Sequence, residues 1–210
     1  MKRTLLCAAL VAAGIATSVA QNVYSLNVVG YYNITLPANQ LVMIANQLNT
    51  TNNTLAGLLP NGPVGALAYK YDGGYTAYLY DDLDMAWTPD GNATLNPGEG
   101  MFIKSPTAAT ITFVGEVLQG SMTNTTPLGV QVMRSSMVPQ AGGVSSVLGL
   151  VGEPGDLIYK YAGGYSAYLF DDIDMAWTPS EPSMNVGEAF FIKKAATGTQ
   201  ALWVRNFTVN

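Results

Sequence analysis

A shift of ninety residues brings the two halves of this chain into register. Tyr69 through Pro89 then lies on Tyr159 through Pro179, with seventeen of twenty-one positions identical. Three of the four differences are conservative: Thr76/Ser166, Tyr80/Phe170 and Leu83/Ile173. Gly98-Glu99 followed by Met101 to Lys104 answers Gly187-Glu188 followed by Phe190 to Lys193, one residue out of step. Pro37 and Pro127 match more weakly, with Val42-Met43 on Val132-Met133. A period of this length marks a chain made of two copies of one supersecondary unit. The period divides the chain into an N-terminal strand over 21–29, a first repeat over 30–119 and a second over 120–210.

Within each repeat the local patterns read as strands. Ala66 to Tyr71 and Tyr75 to Tyr80 are aromatic-rich runs around Gly73-Gly74, which predicts a β-hairpin with a two-residue Gly-Gly turn. Both glycines recur at 163–164 while Asp72 becomes Ala162, so the turn needs the glycines' freedom at positive φ rather than the carboxylate. Met85 to Thr88 predicts a short strand stopped by Pro89. Asn96-Pro97-Gly98-Glu99 predicts a turn that feeds a strand over 101–104. Thr110 to Val117 is β-branched and aromatic enough for another strand. One short helix per repeat is expected, Thr54 to Leu59 capped by Asn53, with Val144 to Leu150 as its partner. In the same frame Asn22 to Gly30, Thr112 to Gly120 and Leu202 to Asn210 are three versions of one strand. The first of these would close the first repeat or add to the sheet edge of a neighbouring molecule. The expected fold is all-β: two tandem small antiparallel β-sandwich or barrel units.

The N-terminus carries an export signature. Met1-Lys2-Arg3 is basic, Leu5 to Val11 and the residues to Ile15 are apolar, and Ser18-Val19-Ala20 supplies small residues before a cleavage at Gln21. This predicts a signal peptide over 1–20. Its apolar stretch is about fifteen residues, short of the roughly 20 needed to span a bilayer, so no membrane span is expected after cleavage. Cys7, the one cysteine, falls inside that segment, and the chain has no histidine. The mature chain therefore cannot use disulfides, thiol nucleophiles, His-based triads or zinc sites built on Cys or His. Without Lys2 and Arg3, seven basic residues face fourteen acidic ones, a net charge of −7. With no basic stripe, nucleic acid is not an expected partner. The expected location is extracellular or the outer cell surface, with the periplasm as an alternative.

Three residue groups are candidates for function. Asp81, Asp82 and Asp84 recur as Asp171, Asp172 and Asp174, and clustered loop aspartates suit Ca²⁺, which takes six to eight oxygens. The competing reading is a solvated loop whose first Asp caps its own turn. Glu99 and Glu188 are the carboxylates a small hydrolase would recruit. Placed on Gly-Glu turns, they also read as turn-stabilising groups, and no catalytic residue is assigned. Tyr69, Tyr71, Tyr75 and Trp87, with Tyr159, Tyr161, Tyr165 and Trp177, can form a stacking surface for sugar rings. Alternation puts Tyr78 and Tyr80 on the opposite face, and Phe170 in place of Tyr80 points to that face as the inner one.

The segments Tyr69 to Tyr75 and Leu95 to Ile103 carry a resemblance. The chain resembles a class of uncharacterised exported bacterial β-repeat modules that pair a Tyr-rich hairpin with a Pro-Gly-Glu-Gly-x-Phe-Ile turn and strand. The likeness covers about 36–117 and 126–207. It implies a β fold and an exported location, with no functional residues to carry over. The second copy departs from it at Val186 for Pro97 and Ala189 for Gly100. The function expected is a non-catalytic structural or interaction role at the cell surface, with protein, glycan or a second copy as partner. Carbohydrate binding through exposed aromatics is the alternative, and a small carboxylate-dependent hydrolase the third.

Overall fold

The computed structural model describes residues 28–209. The predicted signal peptide, and the predicted N-terminal strand up to residue 27, lie outside the described residues. The first strand observed is β1 (Val29–Leu36). Its alternation turns Tyr32 and Leu36 into the core and leaves Tyr31, Asn33 and Thr35 exposed, the period-2 pattern of a half-buried strand. It pairs antiparallel over eight residues with β7 (Ala109–Glu116), from Val29↔Glu116 to Leu36↔Ala109. The strand that closes on the Val114 segment is thus centred several residues later than 21–29.

Between β1 and β7 the chain builds a five-stranded antiparallel sheet. Its strands are β2 (Leu41–Ala45), β3 (Leu67–Tyr71), β4 (Tyr75–Tyr80), β5 (Trp87–Thr88) and β6 (Gly100–Lys104), in the order β2-β6-β3-β4-β5. The second half repeats the plan. A ribbon of β8 (Gly120–Thr125) and β16 (Leu202–Phe207) accompanies a sheet ordered β9-β15-β11-β12-β13. These strands are β9 (Gln131–Arg134), β11 (Leu157–Tyr161), β12 (Tyr165–Phe170), β13 (Trp177–Thr178) and β15 (Phe190–Lys193). A two-residue pair, β10 (Gly142–Gly143) with β14 (Ser183–Met184), is added in this half. The all-β, antiparallel class expected from the residues is the class observed.

The hairpin differs from its predicted form. Tyr71 pairs with Tyr75, so three residues, not two, make the connection, and the Asp72 N–H donates to the Gly74 carbonyl across it. Only Gly73 takes a positive φ, of 69°, and Gly163 matches it at 76°. The Pro-Gly-Glu turn does follow its residue types. Gly98 has φ 87° and the Glu99 N–H donates to the Asn96 carbonyl, the pattern of a type II turn with Pro97 ahead of the glycine. The second copy makes the same turn with Val186 in place of proline: Gly187 has φ 75° and the Glu188 N–H reaches the Asn185 carbonyl.

Only the first repeat forms its expected helix. In α1 (Leu55–Leu58) the cap is Thr54, whose hydroxyl accepts from the Gly57 N–H at 3.2 Å. Asn53 is spent instead on Thr50 and Asn49. Residues 144–150 form turns: Glu181 Oε1 accepts from the Ser145 and Ser146 N–H groups, and Gly149, at φ 74°, ends the segment.

Each half centres on a core, the first completed by Met122 and Val138 from the second half. In the first, Ile44, Ala68, Tyr80, Trp87, Ile103 and Phe113 pack together; in the second, Ile158, Trp177, Phe190, Ile192 and Trp203 do so. A third cluster belongs to neither half alone. Met43, Ala45 and Phe102 from the first meet Met133, Ala189 and Phe191 from the second. Alternation explains the split: Met101 and Ile103 of β6 face the first core while Phe102, between them, faces the junction. Both faces of this strand are therefore covered, which is why it reads as a continuous apolar run.

The junction is reciprocal, as a two-fold interface is. The Ala45 N–H donates to the Gly187 carbonyl at 2.8 Å, and the Ser135 N–H, ninety residues on, donates to the Gly98 carbonyl at 2.9 Å. Ile44 bridges to Glu188 and Arg134 to Glu99. Gly98 sits against Asn124 of β8, and Gly187 against Tyr32 and Ile34 of β1. Two asymmetric polar links join the set: Gln47 donates to Ser135 Oγ and accepts from the Gly187 N–H, and Asn124 donates to the Gly98 carbonyl.

Candidate functional site

The hairpins bring their tyrosines to this junction. The register Tyr69↔Ala77 and Tyr71↔Tyr75 puts Tyr69, Tyr71 and Tyr75 on one face of the sheet, and Tyr159, Tyr161 and Tyr165 take the same face in the second half. The opposite face carries Ala68 and Tyr80, both buried in the first core, as the Tyr80/Phe170 exchange indicates. Tyr71 stacks edge-on against Phe191 at 5.0 Å between centroids, and Tyr161 against Phe102 at 5.3 Å. Each hairpin thus packs on the other half's central strand. The chain closes within each tip through Tyr71–Tyr75 at 5.2 Å and Tyr161–Tyr165 at 5.1 Å. Burial of Phe102 and Phe191 contributes about 1.5–3 kcal/mol each relative to exposure.

Not all of this aromatic surface is used up in packing. Tyr75 is 52% exposed and Tyr165 is 56% exposed. Beside them opens a cleft of about 790 Å³ whose lining includes Tyr69, Tyr75, Phe102, Tyr161 and Tyr165 together with Asn39, Gln40 and Lys104. Its lining combines aromatic rings with two amide groups and one ammonium. Burial of the Tyr75 hydroxyl, with the Tyr165 phenol hydrogen-bonded beside it, pushes its pKa well above the usual tyrosine range. A tyrosine hydroxyl is protonated throughout the neutral range, so that of Tyr75 is available there as a donor.

The other sequence candidates fall elsewhere. Trp87 and Trp177 are 4% and 6% exposed and lie in the two cores, so they do not belong to a stacking surface. Their indole N–H groups donate to the Leu59 carbonyl and to Ser145 Oγ, each at 2.9 Å. A buried tryptophan needs such a partner, and this placement corrects the expectation that the two indoles face a ligand.

Asp81 Oδ1 accepts from the Leu83 and Asp84 N–H groups, and Asp171 does the same for Ile173 and Asp174. The first aspartate of each loop therefore caps its own turn. Among the described residues no group of three or more His, Cys, Asp or Glu side chains is arranged to hold a metal ion. Glu99 Oε2 accepts from the Asn96 N–H and from Lys70 at 3.3 Å. Glu188 accepts from Asn185 and pairs with Lys160 at 3.1 Å. Both glutamates close the turns they belong to.

Phe102, Phe191, Lys104, Asn39 and Gln40 escaped the reading of the residues. For the phenylalanines a signal existed: Met101-Phe102-Ile103 and Phe190-Phe191-Ile192 are apolar at every position, the mark of strands covered on both faces. For Asn39 and Gln40 no pattern pointed to a site. Comparison with protein-family models, curated proteins and solved structures gives no match for this chain, so the cleft between its two halves is interpreted from its own geometry.

Proposed function

We propose that this chain is an exported, non-catalytic binding protein whose working surface is the aromatic cleft where its two repeats meet, and that its ligand is a saccharide. The observation that carries this reading is the pair of half-exposed tyrosines, Tyr75 and Tyr165, in a cleft of about 790 Å³ that amide groups also line. Sugars present apolar C–H faces to aromatic rings and hydroxyls to flanking polar groups. Asn39, Gln40 and Lys104 offer donors, and the two amides also accept. The volume lies within the usual range for small-ligand sites, on the order of 300–1,000 Å³. A non-catalytic role is supported by the engagement of Glu99 and Glu188, the hydrolase candidates, in their own turns.

A glycan array tests the reading. The wild-type protein is expected to retain a defined set of oligosaccharides, and the double variant Tyr75→Ala/Tyr165→Ala to lose them while keeping its fold by circular dichroism. Trp87→Phe serves as the control, because Trp87 is in the core: its glycan profile is expected to match the wild type. No specific glycan retained by the wild type, or retention unchanged in the double variant, contradicts the proposal.

A further inference from the structure

The second repeat contains a buried ion pair, with a partly exposed carboxylate beside it, that the first lacks. Lys194 is 1% exposed and Asp156 is fully buried. The Lys194 ammonium contacts Asp156 Oδ2 directly, donates to the Val151 carbonyl at 2.9 Å and lies 3.4 Å from Glu153 Oε2. Asp156 is held on all sides. Its Oδ1 accepts from the Ala195 N–H and its Oδ2 from the Glu153 N–H, each at 2.8 Å. Glu153 is fixed in turn by the N–H and hydroxyl of Thr199 and the N–H of Gln200.

The fold does not require this arrangement. At the matching places of the first repeat stand Ser105 and Ala66, both fully buried, with no charge on either. An ion pair with both partners buried carries a large desolvation cost, and smaller uncharged side chains fill the same position in the other half. The triad therefore invites a chemical role. An amine held against a carboxyl group, shielded from water and beside a second carboxylate, is a condensation site: fixed orientation is worth an effective concentration on the order of 10⁵–10⁸ M.

We propose that Lys194 and Asp156 condense to an intramolecular amide, cross-linking the segment before β11 to the end of β15, with Glu153 as the proton carrier. The ammonium passes one proton to Asp156 Oδ2 along their direct contact, which leaves a neutral amine and a neutral carboxyl group. The freed Nζ lone pair attacks Asp156 Cγ while Glu153 takes a second proton from Nζ. The Nζ–Cγ bond forms as the C=O pair moves onto Oδ1, where the Ala195 N–H steadies the developing charge. Collapse breaks the Cγ–Oδ2 bond. Oδ2 leaves as water with two protons from the ammonium, one of them delivered by Glu153, which ends as the carboxylate it began as. Ammonium plus carboxylate gives amide plus water, so atoms and charge balance with no oxidant or co-reactant. Two buried charges disappear in the product. Partial burial alone would raise the Glu153 pKa, but hydrogen bonds from Thr199 and Gln200 and the nearby Lys194 outweigh that and hold it near 2. It is therefore ionised but a weak base, so the proton transfer runs uphill and the condensation is slow.

Mass spectrometry of the denatured full chain decides the matter. The wild-type protein is expected to be lighter by one water molecule than the sum of its residues, with Lys194→Ala as the internal reference for the processed N-terminus. Protease digestion is expected to yield a branched peptide joining Lys194 to Asp156, with no tryptic cleavage after Lys194. Glu153→Gln keeps the size of the side chain and is expected to restore the full mass or to form the bond many times more slowly. A wild-type chain at full mass, with Lys194 and Asp156 recovered in separate unmodified peptides, overturns the cross-link. Because the wild-type measurement alone decides, a variant that fails to fold leaves the test intact. A Glu153→Gln chain as light as the wild type, formed as fast, overturns the role given to Glu153.

Discussion

Gly100 and Ala189 occupy matching places in the two repeats and face each other across the junction. A Cβ on Gly100 would lie 2.4 Å from the Ala189 Cβ and 3.0 Å from Met133 Cγ, closer than real atoms approach. The departure of the second copy from the repeat pattern at this position thus has a packing cause: there is room for one methyl group near the axis, not two. Gly100→Ala is expected to cost about 1–3 kcal/mol by overpacking, measured by urea denaturation. Adding Ala189→Gly is expected to recover part of that loss, a coupling that independent sites would not show. Trp87→Phe leaves the buried Leu59 carbonyl without its indole partner and is expected to cost about 1–3 kcal/mol in the same measurement. Residue identity alone predicted the inner face of the hairpin, since a tyrosine that exchanges with phenylalanine has a dispensable hydroxyl. It could not separate Trp87 from Tyr75: both are large aromatics in the shared segment, and only the pairing of β5 beside β4 turns the indole into the core.

At the level of elements, the most informative feature was the turn chemistry. The Asn-Pro-Gly-Glu and Asn-Val-Gly-Glu turns share one geometry because glycine supplies the positive φ in both, while Pro97 only favours a conformation that Val186 also adopts. The second predicted helix is cut short by its own sequence, at Gly149 with φ 74°. Strand β1 was legible in its own alternation, yet the ninety-residue frame drew attention to the residues before it. Glu153 ties another pair of elements, strapping residues 199–200 to the segment that leads into β11. Its carboxyl pKa falls from 4.5 to about 2 in the folded protein. A lowered folded-state pKa means that the unfolded chain binds more protons between these values, so the contribution of Glu153 to stability is present above pH 4.5 and is lost as the pH falls toward 2. Glu153→Gln is expected to flatten this limb of the acid-denaturation curve, with the wild-type and variant curves differing most in that window.

Across the whole molecule, duplication does more than place two units in a row. The Gly98 and Gly187 carbonyls each accept from the opposite half, each hairpin stacks on the opposite central strand, and the cleft takes its walls from both repeats. None of this reciprocity was legible in the residues, because contacts between copies leave no periodic trace beyond the identity of the segments that make them. It does give a physical reason for the uneven identity between the copies: the Tyr69–Tyr80 and Tyr159–Phe170 hairpins must each fit both their own sheet and the other half. The central claim is that the halves fold as one body and that the aromatic cleft is a property of their junction. Differential scanning calorimetry of the full chain tests this most directly. The account predicts one transition whose calorimetric and van't Hoff enthalpies agree, shifted as a whole to lower temperature by Phe191→Ala. Two resolved transitions, with Phe191→Ala moving only the second repeat's, would contradict it.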